Sequence, residues 1–156
     1  MRAITTTGPP TTRQPRDPRW PLWYVLPEMG ALPTAPRTAR AHVRDVLTQW
    51  GLSRFEDDAA LVTSELVSNV VQAATGEDGN PVYLDGRLPL VQLSLFSDRA
   101  RLLIVVYDQV PGVPEEGYPG QDAETGRGLA LVGSLGTWDW HPVHGGKVVR
   151  ALLQAA

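Results

Sequence analysis

The 156-residue sequence predicts an α+β fold: a two-layer α/β sandwich whose mixed, mainly antiparallel sheet carries helices on one face. Apolar residues with helical spacing are concentrated in the first half of the chain. Strand-like runs joined by short turns dominate the second half. The expected order is therefore β-α-α-β-β-loop-α-β-β.

The first half supplies one strand and two helices. Residues 20–26 (WPLWYVL) have the aromatic and β-branched content of a strand. A first helix is expected from Pro36 to Gly51, because proline suits a helix start and glycine a helix end. A second helix is expected from the acidic pair at 57–58 to Gly76.

The second half begins with a Gly- and Pro-rich loop at residues 76–90. Strands are predicted at 91–96 and 101–107, around a polar turn. A Gly-, Pro- and acid-rich loop at 109–124 is suited to act as a lid over a site.

A short helix at 128–135 and a hairpin close the chain. The hairpin strands are predicted at 137–143 and 147–153. Residues 1–19, rich in Thr, Pro and Arg, are expected to be a disordered tail. Residues 20–156 are expected to form one domain.

Composition excludes several classes of function. The net charge of −3 argues against a broad nucleic-acid surface, so no direct nucleic-acid partner is expected. The absence of cysteine excludes disulfides, thiolate nucleophiles and zinc–cysteine sites. No apolar run reaches the length of a membrane span, and the N-terminus lacks a signal-peptide core, so a cytoplasmic protein is expected.

Glu65 and Asn69 lie four residues apart on the second predicted helix, so they share one face. An amide oxygen at Asn69 suits Mg²⁺, which takes few protein ligands. Glu65 could accept a proton from a hydroxyl that attacks a γ-phosphate. An exposed polar pair that only solubilises the helix is the alternative.

Asp108 stands at the end of an apolar strand-like run, where the lid begins. A carboxylate there could accept a hydrogen bond from the exocyclic amine of adenine. The alternative is an acid that caps the strand or forms a turn.

Residues 125–129 (TGRGL) contain a Gly-x-Gly step at the start of an apolar segment. Backbone N–H groups at a helix start can bind phosphate oxygens, and glycine permits a close approach. Such a step is also common in ordinary loops. No P-loop motif or dinucleotide fingerprint is present in the sequence.

Taken in order, these motifs resemble the GHKL (Bergerat-type) ATPase superfamily, and within it the anti-sigma-factor serine/threonine kinases and their actinobacterial relatives. Residues 65–69 (ELVSN) look like the N-box, Asp108 the start of the adenine box, and residues 126–132 (GRGLALV) the second glycine box. The closing segment at 145–152 (GGKVVRAL) is similar to the terminal strand of those kinases.

The resemblance implies binding of ATP and Mg²⁺. Glu65 would be the catalytic base, Asn69 the Mg²⁺ ligand and Asp108 the adenine contact. The cofactor-binding set would be completed by glycines and their neighbours in the two loops: Gly112, Thr125, Gly126, Arg127, Gly128 and Leu129.

The resemblance also implies partners and a reaction. Such proteins dimerise, bind a sigma factor and phosphorylate a serine or threonine on a STAS-type anti-anti-sigma protein. A non-catalytic interaction module of the same fold, with a degenerate or purely regulatory nucleotide site, is the main alternative. A sensor-kinase catalytic module is a more distant one, because no phosphoacceptor-helix domain accompanies it in this sequence.

Two departures from the family pattern affect these expectations. The adenine box of the family reads Asp-x-Gly-x-Gly, whereas this chain has Val110 at the central glycine and keeps Gly112. Val110 is expected to narrow the pocket or shift the loop. Gln72 and Ala73 stand where relatives carry a basic residue and a histidine, which would weaken the electrostatic support for phosphoryl transfer.

Overall fold

The computed structural model describes residues 17–112 and 123–154, with the backbone alone for 123–128. Three α-helices are present in this part of the chain: α1 (Ala35–Trp50), α2 (Glu56–Ala73) and α3 (Ala123–Leu135). The strands are β1 (Leu22–Val25), β2 (Met29–Gly30), β3 (Leu90–Ser97), β4 (Arg101–Asp108), β5 (Thr137–Val143) and β6 (Gly146–Gln154). A 3₁₀ turn, Ser53–Phe55, links α1 to α2.

The strands form one six-stranded sheet in the order β1-β3-β4-β6-β5, with β2 also paired to β3. Each pairing between the described strands is antiparallel. The α+β sandwich with a mainly antiparallel sheet is therefore confirmed. The central strand β4 pairs with β3 on one side and β6 on the other, which places Asp108 opposite both Val91 and Lys147.

The helices cover one face of this sheet. Alternate residues of the central strands point to that face, as the two-residue period of a strand requires. On β4 these are Leu102, Ile104 and Val106, which lie in the main core. The same core contains Leu66 and Val70 of α2. Asp108 continues the even-numbered series of β4 and therefore lies on the helix-covered side.

A second, smaller apolar cluster lies on the opposite face of the sheet. It contains Leu103, Val105 and Tyr107 of β4, together with Trp20 and Val148. The Arg101 guanidinium stacks over the Trp20 ring, 4.8 Å from its centroid. The residues flanking Asp108 are thus fixed by packing on both sides of the sheet.

Helix α3 begins earlier than the sequence predicts. A helix at 128–135 is the sequence prediction, whereas the observed helix begins at Ala123. Ala123 and Glu124 are good helix formers, and they extend the helix through the two glycines that follow. Within α3, the N–H groups without a partner in the helix therefore belong to residues 123–125 and not to the segment after Gly128.

Most of the predicted lid, residues 113–122, lies outside the described residues, as do residues 1–16 of the predicted tail. Residues 17–19 form a turn in which the Trp20 N–H donates to the Asp17 carbonyl over 2.8 Å. The boundary at residue 20 stays a prediction.

The predicted loop 76–90 contains tight turns. Thr75 bridges to Pro81 and Leu84 bridges to Arg87. Across the described ranges, no helix is both long enough and apolar enough to cross a membrane.

Replacing Ile104 by alanine is expected to destabilise the domain by about 2–5 kcal/mol, because a fully buried side chain on the central strand would leave a cavity. Leu61 on α2 is 39% exposed and provides the matched control. Its alanine variant is expected to lose less than about 1 kcal/mol. Urea unfolding of the two variants measures this difference, and equal losses would contradict the assigned core.

Candidate functional site

Helix α2 presents Glu65 and Asn69 at the border of the core. Both side chains are half-buried, whereas the neighbouring Leu66 and Val70 are fully covered. Their four-residue spacing on a regular helix confirms that they share one face. The Arg40 guanidinium of α1 donates to the Ser64 hydroxyl over 2.6 Å, so a cation from the neighbouring helix contacts α2 one residue before Glu65.

Asp108 is the last residue of β4, and its side chain is completely buried. Burying an ionised carboxylate is costly unless the group is paired and hydrogen-bonded. The expected strand-end location is confirmed, and the burial is far greater than an ordinary strand cap requires. An ion pair therefore stabilises this acid inside the domain.

The partner of Asp108 is Lys147 on β6. The Lys147 ammonium lies 2.8 Å from Asp108 Oδ1 and also donates to the Val110 carbonyl oxygen over 2.8 Å. The Val110 N–H donates to the same Oδ1 over 2.9 Å. Burial raises the pKa of the Asp108 carboxyl, while the Lys147 charge and the Val110 N–H oppose that rise.

The second oxygen of this carboxylate, Oδ2, is buried and has no hydrogen-bond partner among the described residues. A buried acceptor without a donor is unusual in a folded protein. An N–H group of a bound ligand would supply the hydrogen bond that Oδ2 lacks among the described residues. The exocyclic amine of adenine is a suitable donor, so the residues present fit an adenine nucleotide.

Beside this network lies a cavity of about 360 Å³, within the size range of small-molecule sites. Its walls come from the turn after β4 and from the β5–β6 hairpin: Gln109, Val110, Pro111, Gly112, Trp140, Pro142, Gly145, Gly146 and Lys147. The Val110 side chain is 4% exposed and also packs in the main core. This valine is thus accommodated by apolar packing at the position where the family has glycine.

Glycine is required where the hairpin meets β4. A Cβ atom on Gly146 would overlap the Asp108 carbonyl oxygen. The absence of a side chain lets β6 approach the end of β4 closely enough for Lys147 to reach Asp108. Gly112 has φ of 122°, in the region that favours glycine, and lines the same cavity.

The remaining predicted residues lie on α3. Thr125, Gly126, Arg127 and Gly128 belong to its backbone, and their side chains are outside the described residues. Leu129 is buried in the main core. Their predicted role at the phosphates stays a prediction, as do the roles of Glu65 and Asn69.

Within residues 17–112 and 129–154, no group of three or more His, Asp or Glu side chains could hold a metal ion. A Mg²⁺ ion bound to a nucleotide needs only one or two protein ligands, because phosphates and waters complete its shell. Asn69 could serve as such a ligand.

Sequence reasoning missed Lys147 as a site residue. It is the one lysine in a chain with thirteen arginines, and it stands in the closing segment 145–152 that resembles a terminal strand, but neither signal assigned it a role. Its position opposite Asp108 follows from the β4–β6 register, which joins segments nearly forty residues apart. A pattern within one segment carries no information about such a pairing.

The comparisons with known proteins agree with this geometry. A search among curated proteins returns no match to the chain. A family model, the histidine kinase-like ATPase domain, matches residues 29–151. This range covers most of the chain and contains α2, the Asp108 turn, α3 and Lys147. The chain therefore belongs to the family of histidine kinase-like ATPase domains.

Proposed function

We propose that this protein is an ATP- and Mg²⁺-binding regulator that acts as a serine/threonine protein kinase of the anti-sigma-factor type. The main observation that supports the nucleotide site is the buried Oδ2 of Asp108, which has no hydrogen-bond partner among the described residues. ATP supplies the amine that this oxygen lacks. Membership of a family of ATPase domains supports the same ligand.

The proposed chemistry divides between two elements. Asp108 on the sheet accepts the amine of the base. On α2, Asn69 holds Mg²⁺ and Glu65 accepts the proton of the attacking hydroxyl. The bound Mg²⁺ would neutralise charge that develops on the phosphates. The unpaired backbone N–H groups at the start of α3 contact those phosphates, and the absence of side chains at Gly126 and Gly128 permits their close approach.

The proposed phosphoryl acceptor is a serine or threonine on a STAS-type anti-anti-sigma protein, and the proposed regulatory partner is a sigma factor. Both belong to the kinase type that the sequence motifs resemble. The same resemblance supports a homodimer and a cytoplasmic location, where ATP and sigma factors are both present.

A second candidate is a non-catalytic interaction module with a regulatory nucleotide site. One observation favours it: exposed Gln72 and Ala73 end α2 without a positive charge. A module of this kind would bind nucleotide or a partner and transfer no phosphate.

Changing Asp108 to asparagine is expected to weaken ATP binding by about 1–3 kcal/mol. Lys147 and Val110 both donate to Oδ1, so the amide oxygen of asparagine would take that position. The amide NH₂ would then replace Oδ2 and face the amine of the base, donor against donor. Calorimetric titration with ATP and Mg²⁺ measures the loss.

Asp139→Asn is the matched control for this experiment. Asp139 is an exposed acid on β5 whose carboxylate pairs with Arg150 on the other face of the sheet. Its variant should bind ATP as the wild type does. Unchanged ATP affinity in Asp108→Asn would move the base contact elsewhere, and a folded wild type that binds no ATP would refute the nucleotide site.

Replacing Glu65 by alanine is expected to lower phosphoryl transfer by a factor on the order of 10² or more while ATP affinity stays nearly the same. The reason is that a general base acts on the reacting hydroxyl and contributes little to nucleotide binding. Transfer from γ-labelled ATP to purified STAS-domain proteins measures the rate.

Asp58→Ala provides the control for Glu65, since Asp58 is an exposed acid two turns earlier on α2. Its transfer rate should match that of the wild type. Equal activity in Glu65→Ala would exclude Glu65 as the base. A wild type that binds ATP and phosphorylates no STAS protein would favour the interaction module.

A further inference from the structure

We propose that Lys147 is the positioning residue for base recognition: it orients the Asp108 carboxylate so that Oδ2 is the oxygen offered to the base. This inference rests on the proposed nucleotide site and deepens it. It assigns a role to a residue that sequence motifs alone did not place in the site.

Lys147 reaches both parts of the turn that holds the acid. Its ammonium contacts Asp108 Oδ1 and the Val110 carbonyl oxygen, each at 2.8 Å. The Lys147 side chain is 10% exposed, so water has little access to the pair. A buried ammonium with two oxygen partners holds a defined geometry more firmly than a surface ion pair does.

This geometry makes the two carboxylate oxygens unequal. Oδ1 accepts from both Lys147 and the Val110 N–H, whereas Oδ2 accepts from no described residue. Without Lys147, the Val110 N–H alone would remain, and it could bond to either oxygen equally well. Rotation of the carboxylate would then be resisted by a single hydrogen bond from the turn.

The charge of Lys147 also favours recognition of the amine. A buried carboxylate needs an opposite charge to stay ionised. A protonated Asp108 would carry a donor hydrogen and would lose its preference for the amine of the base. Lys147 therefore keeps the group in the acceptor form as well as in the acceptor orientation.

The test compares two ligands that differ only at the amine. Wild-type protein is titrated with ATP and with purine riboside triphosphate, which has hydrogen in place of the 6-amino group. The wild type is expected to prefer ATP by about 10-fold or more, the effect of one hydrogen bond to a charged acceptor. In Lys147→Met this preference is expected to fall to about 3-fold or less.

The ratio of the two affinities separates positioning from a general structural role. A partly unfolded variant binds both ligands less, and the folded fraction cancels in the ratio. Lys147→Gln is the second variant, since it keeps a hydrogen-bond donor without the charge, and it decides the matter if Lys147→Met does not fold. Its preference for ATP is also expected to drop below that of the wild type.

Arg150→Met is the matched control. Arg150 is a cation on the same strand, but it pairs with Asp139 on the opposite face of the sheet. Its preference for ATP should equal that of the wild type.

The possible outcomes are distinct. Full wild-type preference in either folded Lys147 variant would overturn the role of Lys147 and leave the nucleotide site standing. An equal drop in Arg150→Met would also overturn it, because the effect would then belong to the strand. A wild type that binds both ligands equally, or neither, would refute the base contact itself and this inference with it.

Discussion

The ion pair between Asp108 and Lys147 is the interaction on which the candidate site depends, at the end of β4 and the beginning of β6. It forms across the β4–β6 register, and it also engages the Val110 carbonyl in the turn that follows β4. Three features are needed for it: the antiparallel register, the glycine at 146 that permits close approach, and a turn tight enough for the Val110 N–H to reach Oδ1. A change in the register or at Gly146 would separate the buried Asp108 from Lys147, and a buried charge without its partner is strongly unfavourable.

The fold was predictable because its elements carry local signals. The helices α1 and α2 have apolar spacing and clear ends, and their observed bounds lie within a few residues of those expected. The strands β3 and β4 are continuous apolar runs beside a polar turn. The predicted start of α3 was wrong, because two glycines suggested a loop where the helix continues.

The candidate site was predictable only in part. Glu65, Asn69 and Asp108 stand in recognisable local patterns, so their elements were expected correctly. Lys147 stands in the closing strand, where the local pattern assigned it no role, and its importance arises from a contact with a residue 39 positions away. Packing on both faces fixes that contact: Val148 joins the second cluster while Val149 joins the main core.

In the proposed function, recognition of the base and transfer of phosphate depend on different elements. Asp108 is held by strands, whereas Glu65 and Asn69 belong to a helix that packs on the sheet through other side chains. In that proposal, the absence of a cation at the end of α2 would affect the phosphates and leave the base contact intact. ATP binding can persist in such a chain even where transfer is slow.

In the proposed nucleotide site, the burial of Asp108 would give selectivity for one purine. At position 6 adenine has a donor amine, whereas guanine has a carbonyl oxygen at the same place. Oδ2 would accept from the amine and repel the carbonyl, and in a fully buried position no water could bridge the mismatch. An exposed carboxylate would be solvated in both cases and would discriminate weakly. The burial of this acid beside Lys147 is thus the physical basis on which the proposed site would distinguish ATP from GTP.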